Sequence, residues 1–150
     1  MALSNTKNKS LKLEQVIDKM KLKNLTPDVS VEGREITVPD LTRPSLQLAG
    51  YFEHFAYERI QIIGYVEYTF SQTLTVERRQ EVYTKLMSYP IPCIIFSRDM
   101  VPDEDFLRIA TEKGVPVFQT PRPTSYFTGE LIRWMNVQLA PCISIHGVLV

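Results

Sequence analysis

From residue 60 onward the hydrophobic positions alternate between two patterns. Ile60-Gln61-Ile62-Ile63-Gly64-Tyr65-Val66 is a β-branched, nearly continuous apolar run, the composition of a strand covered on both faces. Thr75 stands where an N-cap belongs, Val82 and Leu86 share a helical face, and Pro90 forbids continuation, so a helix is expected from Thr75 to Tyr89. Pro92 to Phe96 reads as a second buried strand. A further helix follows. Pro102 is harmless in a first turn, Asp103, Glu104 and Asp105 favour a helix N-terminus, Phe106, Leu107, Ile109 and Ala110 supply an apolar face, and Gly114 ends it. Val115 to Phe118 is the third strand, Phe127, Leu131, Trp134, Met135 and Leu139 mark a last helix, and Ile143 to Val150 is one more strand. Strands alternating with helices of this length predict βαβ crossovers. The expected class is α/β, a largely parallel or mixed sheet flanked by helices.

The pattern before residue 60 is less regular. Leu13, Val16, Ile17 and Met20 recur at the spacing of one helical face, which predicts a short amphipathic helix from Leu11 to Leu22. Val29 to Val38 alternates apolar and polar around Gly33, as an edge strand or ribbon does. Between Pro39 and Tyr57, turn formers give way to the aromatic cluster Tyr51, Phe52, Phe55 and Tyr57, and irregular structure is expected. The polar residues 1–10 read as a tail and residues 11–140 as the folded body. The boundary falls at Ala140-Pro141, and residues 141–150 read as the first strand of a further domain, interrupted at Val150.

Composition narrows the function. Seventeen basic residues balance seventeen acidic ones in 150 residues, so no net field draws the chain to nucleic acid or to an anionic membrane. No apolar stretch reaches the 18 or so residues that span a bilayer. Cys93 and Cys142 sit in separate apolar runs, a spacing that suits neither a metal nor a disulfide framework, and the expected compartment is the cytoplasm. Neither Gly-x-Gly-x-x-Gly nor Gly-x-x-x-x-Gly-Lys-Ser/Thr occurs, so no dinucleotide fingerprint and no P-loop is present in these residues. His54 lies beside Glu53 among aromatics, where packing is the simpler role; His146 precedes a glycine in the terminal strand, where an imidazole can act as a base or contact phosphate. No metal site is expected from these histidines and cysteines. Asp40 and Arg43 are candidates to orient a ligand, or else they pair with each other. Arg122, fixed between Pro121 and Pro123, suits a phosphate, a neighbouring subunit or a plain stiff connector. The run Tyr51 to Tyr57 fits a stacking surface, a core or a subunit interface.

The segment Asp40-Leu41-Thr42-Arg43-Pro44-Ser45-Leu46-Gln47-Leu48-Ala49-Gly50-Tyr51-Phe52, with Glu58-Arg59-Ile60-Gln61-Ile62-Ile63-Gly64, Pro92 to Phe96, Gly114-Val115-Pro116, Leu139-Ala140-Pro141 and His146-Gly147-Val148-Leu149-Val150, resembles the N-terminal domain of bacterial HPr kinase/phosphorylase. The resemblance implies a fold similar to the UDP-substrate-binding N-terminal domain of the Mur ligases. It also implies a full-length enzyme that uses ATP or pyrophosphate, with magnesium, to phosphorylate a serine of the phosphocarrier HPr and reverses this by phosphorolysis in carbon catabolite repression. His146 matches a histidine of the family's catalytic equipment. The P-loop, the catalytic acid and the metal ligands would all lie beyond Val150, so this chain alone is expected to be inert and to hold no cofactor. Its expected role is assembly and regulation within a hexamer, with HPr bound by the other domain; a nucleotide or sugar-phosphate binding module is the alternative.

Overall fold

The computed structural model describes residues 10–140. In chain order the elements are β1 (Leu11–Lys12), α1 (Leu13–Met20), β2 (Lys23–Asn24), β3 (Glu35–Ile36), β4 (Leu41–Thr42), α2 (Ser45–Leu48), β5 (Ile60–Ile63), α3 (Tyr65–Gln72), α4 (Val76–Leu86), β6 (Ile94–Phe96), α5 (Glu104–Lys113), β7 (Val117–Gln119) and α6 (Thr124–Gln138). Five strands form one mixed sheet in the order β2-β7-β6-β5-β4. Neighbours are parallel from β4 to β7, and β2 runs antiparallel along the β7 edge. A separate ribbon pairs β1 with β3, Leu11 opposite Ile36.

The layers follow from period-two alternation along buried strands. Ile63, Ile94, Phe96 and Val117 face one side, where Leu48 of α2, Val82, Tyr83 and Leu86 of α4, and Phe106, Ile109 and Ala110 of α5 cover them. Ile60, Ile62, Ile95 and Phe118 face the other side, beneath Leu13, Val16 and Met20 of α1 and Phe127, Leu131 and Met135 of α6. Each such buried Ile, Leu or Phe is worth about 1.5–3 kcal/mol relative to an exposed one. The successive crossovers β4 to β5 to β6 to β7 step the same way across the sheet, which places α2, α4 and α5 on one face.

The helix ends are set by side chains. Thr75 accepts a hydrogen bond from the Arg78 N–H (3.1 Å), and Asp103 accepts one from the Phe106 N–H (2.8 Å). Gly114 ends α5 in the left-handed conformation (φ 74°).

Several sequence expectations need correction. The strand ends at Ile63: Tyr65 and Val66 open α3, because the Gly64 N–H is captured by the Glu67 carboxylate (2.7 Å) and the backbone turns helical there. The first helix starts at Leu13, since Leu11 and Lys12 are drawn into the ribbon with β3, and only Glu35–Ile36 of the Val29 to Val38 stretch is strand. The segment expected to be irregular holds β4 and α2. Pro102 precedes the Asp103 cap rather than occupying the first turn. The expected strand Ile143 to Val150, with His146 and Cys142, lies outside the described residues.

Candidate functional site

Sheets with helices on both faces usually take ligands at the carboxyl ends of the strands, where neighbouring connections leave for opposite faces. That point lies here between β6 and β7, since α5 packs on one face and α6 on the other. The two loops are joined directly. The Arg98 N–H donates to the Arg122 carbonyl (3.0 Å), the Asp99 N–H to the Thr120 carbonyl (3.0 Å), and the Gln119 side-chain amide to the Met100 carbonyl (2.9 Å). The Ser97 and Thr124 hydroxyls, both buried, stand 2.6 Å apart. These bonds hold Arg98 and Asp99 at positive φ (59° and 55°), a conformation that costs about 1–2 kcal/mol for a residue with a Cβ. The Arg98 guanidinium lies 5.6 Å from the centre of the Tyr65 ring, within cation–π range.

Beside this junction sits a polar joint centred on Glu67, which is only 3% exposed. Its Oε1 accepts from the Gly64 N–H (2.7 Å) and from Arg43 Nε (3.0 Å), and its Oε2 accepts from the Ser45 hydroxyl (2.9 Å). One carboxylate therefore ties β4, α2 and the start of α3 together. It also occupies the positive end of α3, the place where an external anion would be attracted. The backbone must come close: a Cβ on Gly64 would lie 2.5 Å from Arg43 Nη2 and 3.0 Å from Thr124 Oγ1.

A second joint links α3, α4 and α5. Asp103 Oδ2 accepts from the Tyr83 hydroxyl (3.0 Å) and lies 3.4 Å from Arg79 Nη1 and from the Gln72 amide. Burial pushes the Tyr83 hydroxyl well above its ordinary pKa, and the nearby Asp103 charge adds to this. The space beside it, lined by Tyr68, Ser71, Tyr83 and Phe106 among others, amounts to about 10 Å³, room for little more than one water.

Parallel register explains where the sequence-predicted residues fall. Leu41 pairs with Ile60, so Asp40 meets Arg59 (3.4 Å) at the entry to the strands, whereas Arg43 meets Glu67 (2.9 Å) at their exit. Asp40 and Arg43 do not pair with each other. Arg122 is ion-paired with Glu130 of α6. Nothing among the described residues leaves Asp40, Arg43 or Arg122 without an opposite charge. His54 is exposed in a turn at φ 60°. Phe52 and Tyr89 stack (5.6 Å between centres, 3° between planes), and Phe55 meets Tyr89 edge-on at 5.0 Å. Much of the aromatic run is thus a small core closed by Tyr89. Cys93 is a free, fully buried thiol, and burial pushes its pKa up. Sequence reasoning missed Glu67, Ser45, Ser97 and Thr124; the spacing Gly64-x-x-Glu67 was the available signal for the first. Among the described residues no group of three or more His, Cys, Asp or Glu is placed to hold a metal, and no helix is long and apolar enough to cross a membrane.

The molecule is a three-layer α/β domain whose buried polar groups join its own elements. The family described as HPr Serine kinase N terminus matches residues 11–135, and the chain belongs to that family. HPr kinase/phosphorylase of Lachnoclostridium phytofermentans is 46% identical over 141 residues, covering 94% of this chain and 46% of that protein. The same enzyme of Brevibacillus brevis is 46% identical over 78% of this chain and 38% of its own length, and that of Streptococcus thermophilus is 36% identical over 92% and 45%. This chain thus spans less than half the length of these relatives. A solved structure of the CBS and DRTGG domains of the regulatory region of Clostridium perfringens pyrophosphatase, in complex with the activator diadenosine tetraphosphate, shares the fold. Its TM-score is 0.56 at 17% identity, over 99% of this chain and 55% of that one.

Proposed function

We propose that this chain is the assembly and regulatory part of an HPr kinase/phosphorylase and does not itself transfer phosphate. In this reading the whole enzyme phosphorylates a serine of HPr with ATP or pyrophosphate and magnesium, reverses the reaction by phosphorolysis, and works in the cytoplasm as a hexamer. HPr, nucleotide and metal are bound by residues that follow this domain, and His146 belongs with them. The observation that carries the reading is coverage. Similarity at 46% identity takes in 94% of this chain but 46% of the relative, and the 150 residues contain no Gly-x-x-x-x-Gly-Lys-Ser/Thr for a phosphoryl group. The buried groups at the strand ends support it as well, because Glu67, Ser97 and Thr124 spend their hydrogen bonds on the domain itself.

A chimera tests this directly. Residues 11–140 exchanged into the Lachnoclostridium phytofermentans enzyme in place of its own matching segment are expected to leave HPr serine phosphorylation within about tenfold of the parent, a barrier change of about 1.4 kcal/mol or less. A folded chimera that assembles as the parent does and yet has lost transfer altogether would overturn the reading.

A further inference from the structure

Most arginines of the domain are bound to its own carboxylates or carbonyls. Among the described residues, Arg98 and Arg133 make no such contact. Arg133 rises from the exposed flank of α6, where solvation is ordinary. Arg98 is different. Its backbone is held at φ 59° by the bonds between the β6 and β7 loops, and its guanidinium lies over the Tyr65 ring with no acceptor of its own. Strained positions that the surrounding structure over-determines cluster at ligand clamps. Further groups meet at the same place. Gly64, which joins β5 to α3, directly precedes Tyr65, and its backbone is approached by Arg43 Nη2 from one side and by Thr124 Oγ1 from another. Thr124 Oγ1 in turn stands 2.6 Å from Ser97 Oγ, the residue before Arg98. The ends of β4, β5 and β6 therefore bring Arg43, Tyr65 and Arg98 together around Gly64. Arg43 uses Nε and Nη2 on Glu67, and its side chain is 41% exposed. Among the described residues Glu67 is the only carboxylate bonded to either guanidinium.

We propose that Arg98 and Arg43 form a site above Gly64 for the phosphate group of a small metabolite, a nucleotide or a sugar phosphate. A guanidinium matches phosphate through forked pairs of N–H donors, and Arg98 has its whole fork available. The place lies at the carboxyl ends of β4, β5 and β6, the side on which such sheets take ligands. It stands one strand over from the β6 and β7 junction, which the bonds between the two loops close. The organic part of the ligand has room beside it. Ala49, Val66 and Phe70 line a cleft of about 190 Å³ that also reaches Ser45 and Glu67, the two groups next to Arg43 in the joint. Apolar walls beside a phosphate contact favour an ester over inorganic phosphate. The inference rests on the regulatory half of the reading above, which it supplies with a ligand. Its test measures binding without phosphoryl transfer, so a failure here leaves that reading standing.

Amide NMR of the isotope-labelled 150-residue chain reads the site. The probes are AMP, glucose 6-phosphate and inorganic phosphate at matched ionic strength, because screening alone moves exposed signals. The expected result is saturating shifts at the Gly64, Tyr65 and Arg98 amides with at least one of the two esters, at a dissociation constant below about 5 mM. Saturation by AMP alone assigns a nucleotide, and by glucose 6-phosphate alone a sugar phosphate. Arg98→Gly should weaken this binding at least about tenfold. Its melting temperature should be no lower than the parent's, because glycine takes the φ of 59° without strain. Arg133→Gln removes the same charge about 13 Å along α6 from Thr124 and should leave binding unchanged. Three results overturn the site. One is no saturation by any probe up to about 50 mM. Another is a set of shifts that Arg98→Gly does not alter. The third is saturation by inorganic phosphate with no tighter binding of either ester, which leaves a bare anion patch.

Discussion

At the scale of single residues, Glu67 decides the most. It is buried, it accepts three separate donors, and only one of them, on the half-exposed Arg43, carries charge. Solvent therefore screens the ion pair, and the cost of removing the carboxylate lies chiefly in the donors left behind, the Gly64 N–H above all. Glu67→Ala is expected to destabilise the chain by about 2 kcal/mol in urea unfolding, with Arg43→Ala costing less. A change under about 0.5 kcal/mol for Glu67→Ala would mean that water replaces the joint without penalty. The sequence displayed this residue poorly. A charged side chain directly after an apolar run reads as solvated, and its burial depends on Arg43 and Ser45, which reach it only once β4 lies beside β5. Asp40 and Arg43 show the same limit. Three apart in sequence, they stand at opposite ends of a strand, and each is claimed by a residue about twenty positions away.

At the scale of elements, the legible parts were those whose signals are local. The Thr75 cap, the acidic start and Gly114 stop of α5, and the apolar cores of β5, β6 and β7 are written in consecutive residues. What escaped is α3, because Tyr65 and Val66 extend an apolar run that continues from β5, and because its apolar residues face outward. Periodicity reports a helix through its buried stripe, and here that stripe is Glu67 and Ser71. The short α2 and the two-residue strands are likewise too brief for any period to register. Capping supplies a graded prediction. Thr75 serves one backbone donor on an exposed helix start, so Thr75→Ala should cost about 1 kcal/mol. Asp103 caps α5 and also receives the Tyr83 hydroxyl and Arg79, so Asp103→Ala should cost about 2–3 kcal/mol. Equal midpoints for the two variants in the same urea titration would show that the link among α3, α4 and α5 adds nothing to the cap.

At the scale of the whole molecule, two helical layers enclose a mixed sheet, and each buried polar joint is spent on holding elements together. The junction between β6 and β7, where such folds offer a ligand its place, is bridged by the Arg98, Asp99, Ser97 and Gln119 bonds to the opposite loop or strand. Among the described residues the apolar side chains left facing water include Leu46, Tyr65 and Val66 of α2 and α3, together with Val101, Tyr126 and Val137. The chain is a member of the HPr serine kinase N-terminal family, for which the proposed role is assembly and regulation. The most direct measurement is the intact mass of HPr after prolonged incubation with an equimolar amount of the 150-residue chain, ATP and magnesium, beside a full-length relative as positive control. The account predicts phosphoserine from the relative and unmodified HPr from this chain; stoichiometric phosphorylation of HPr by the chain alone would contradict it.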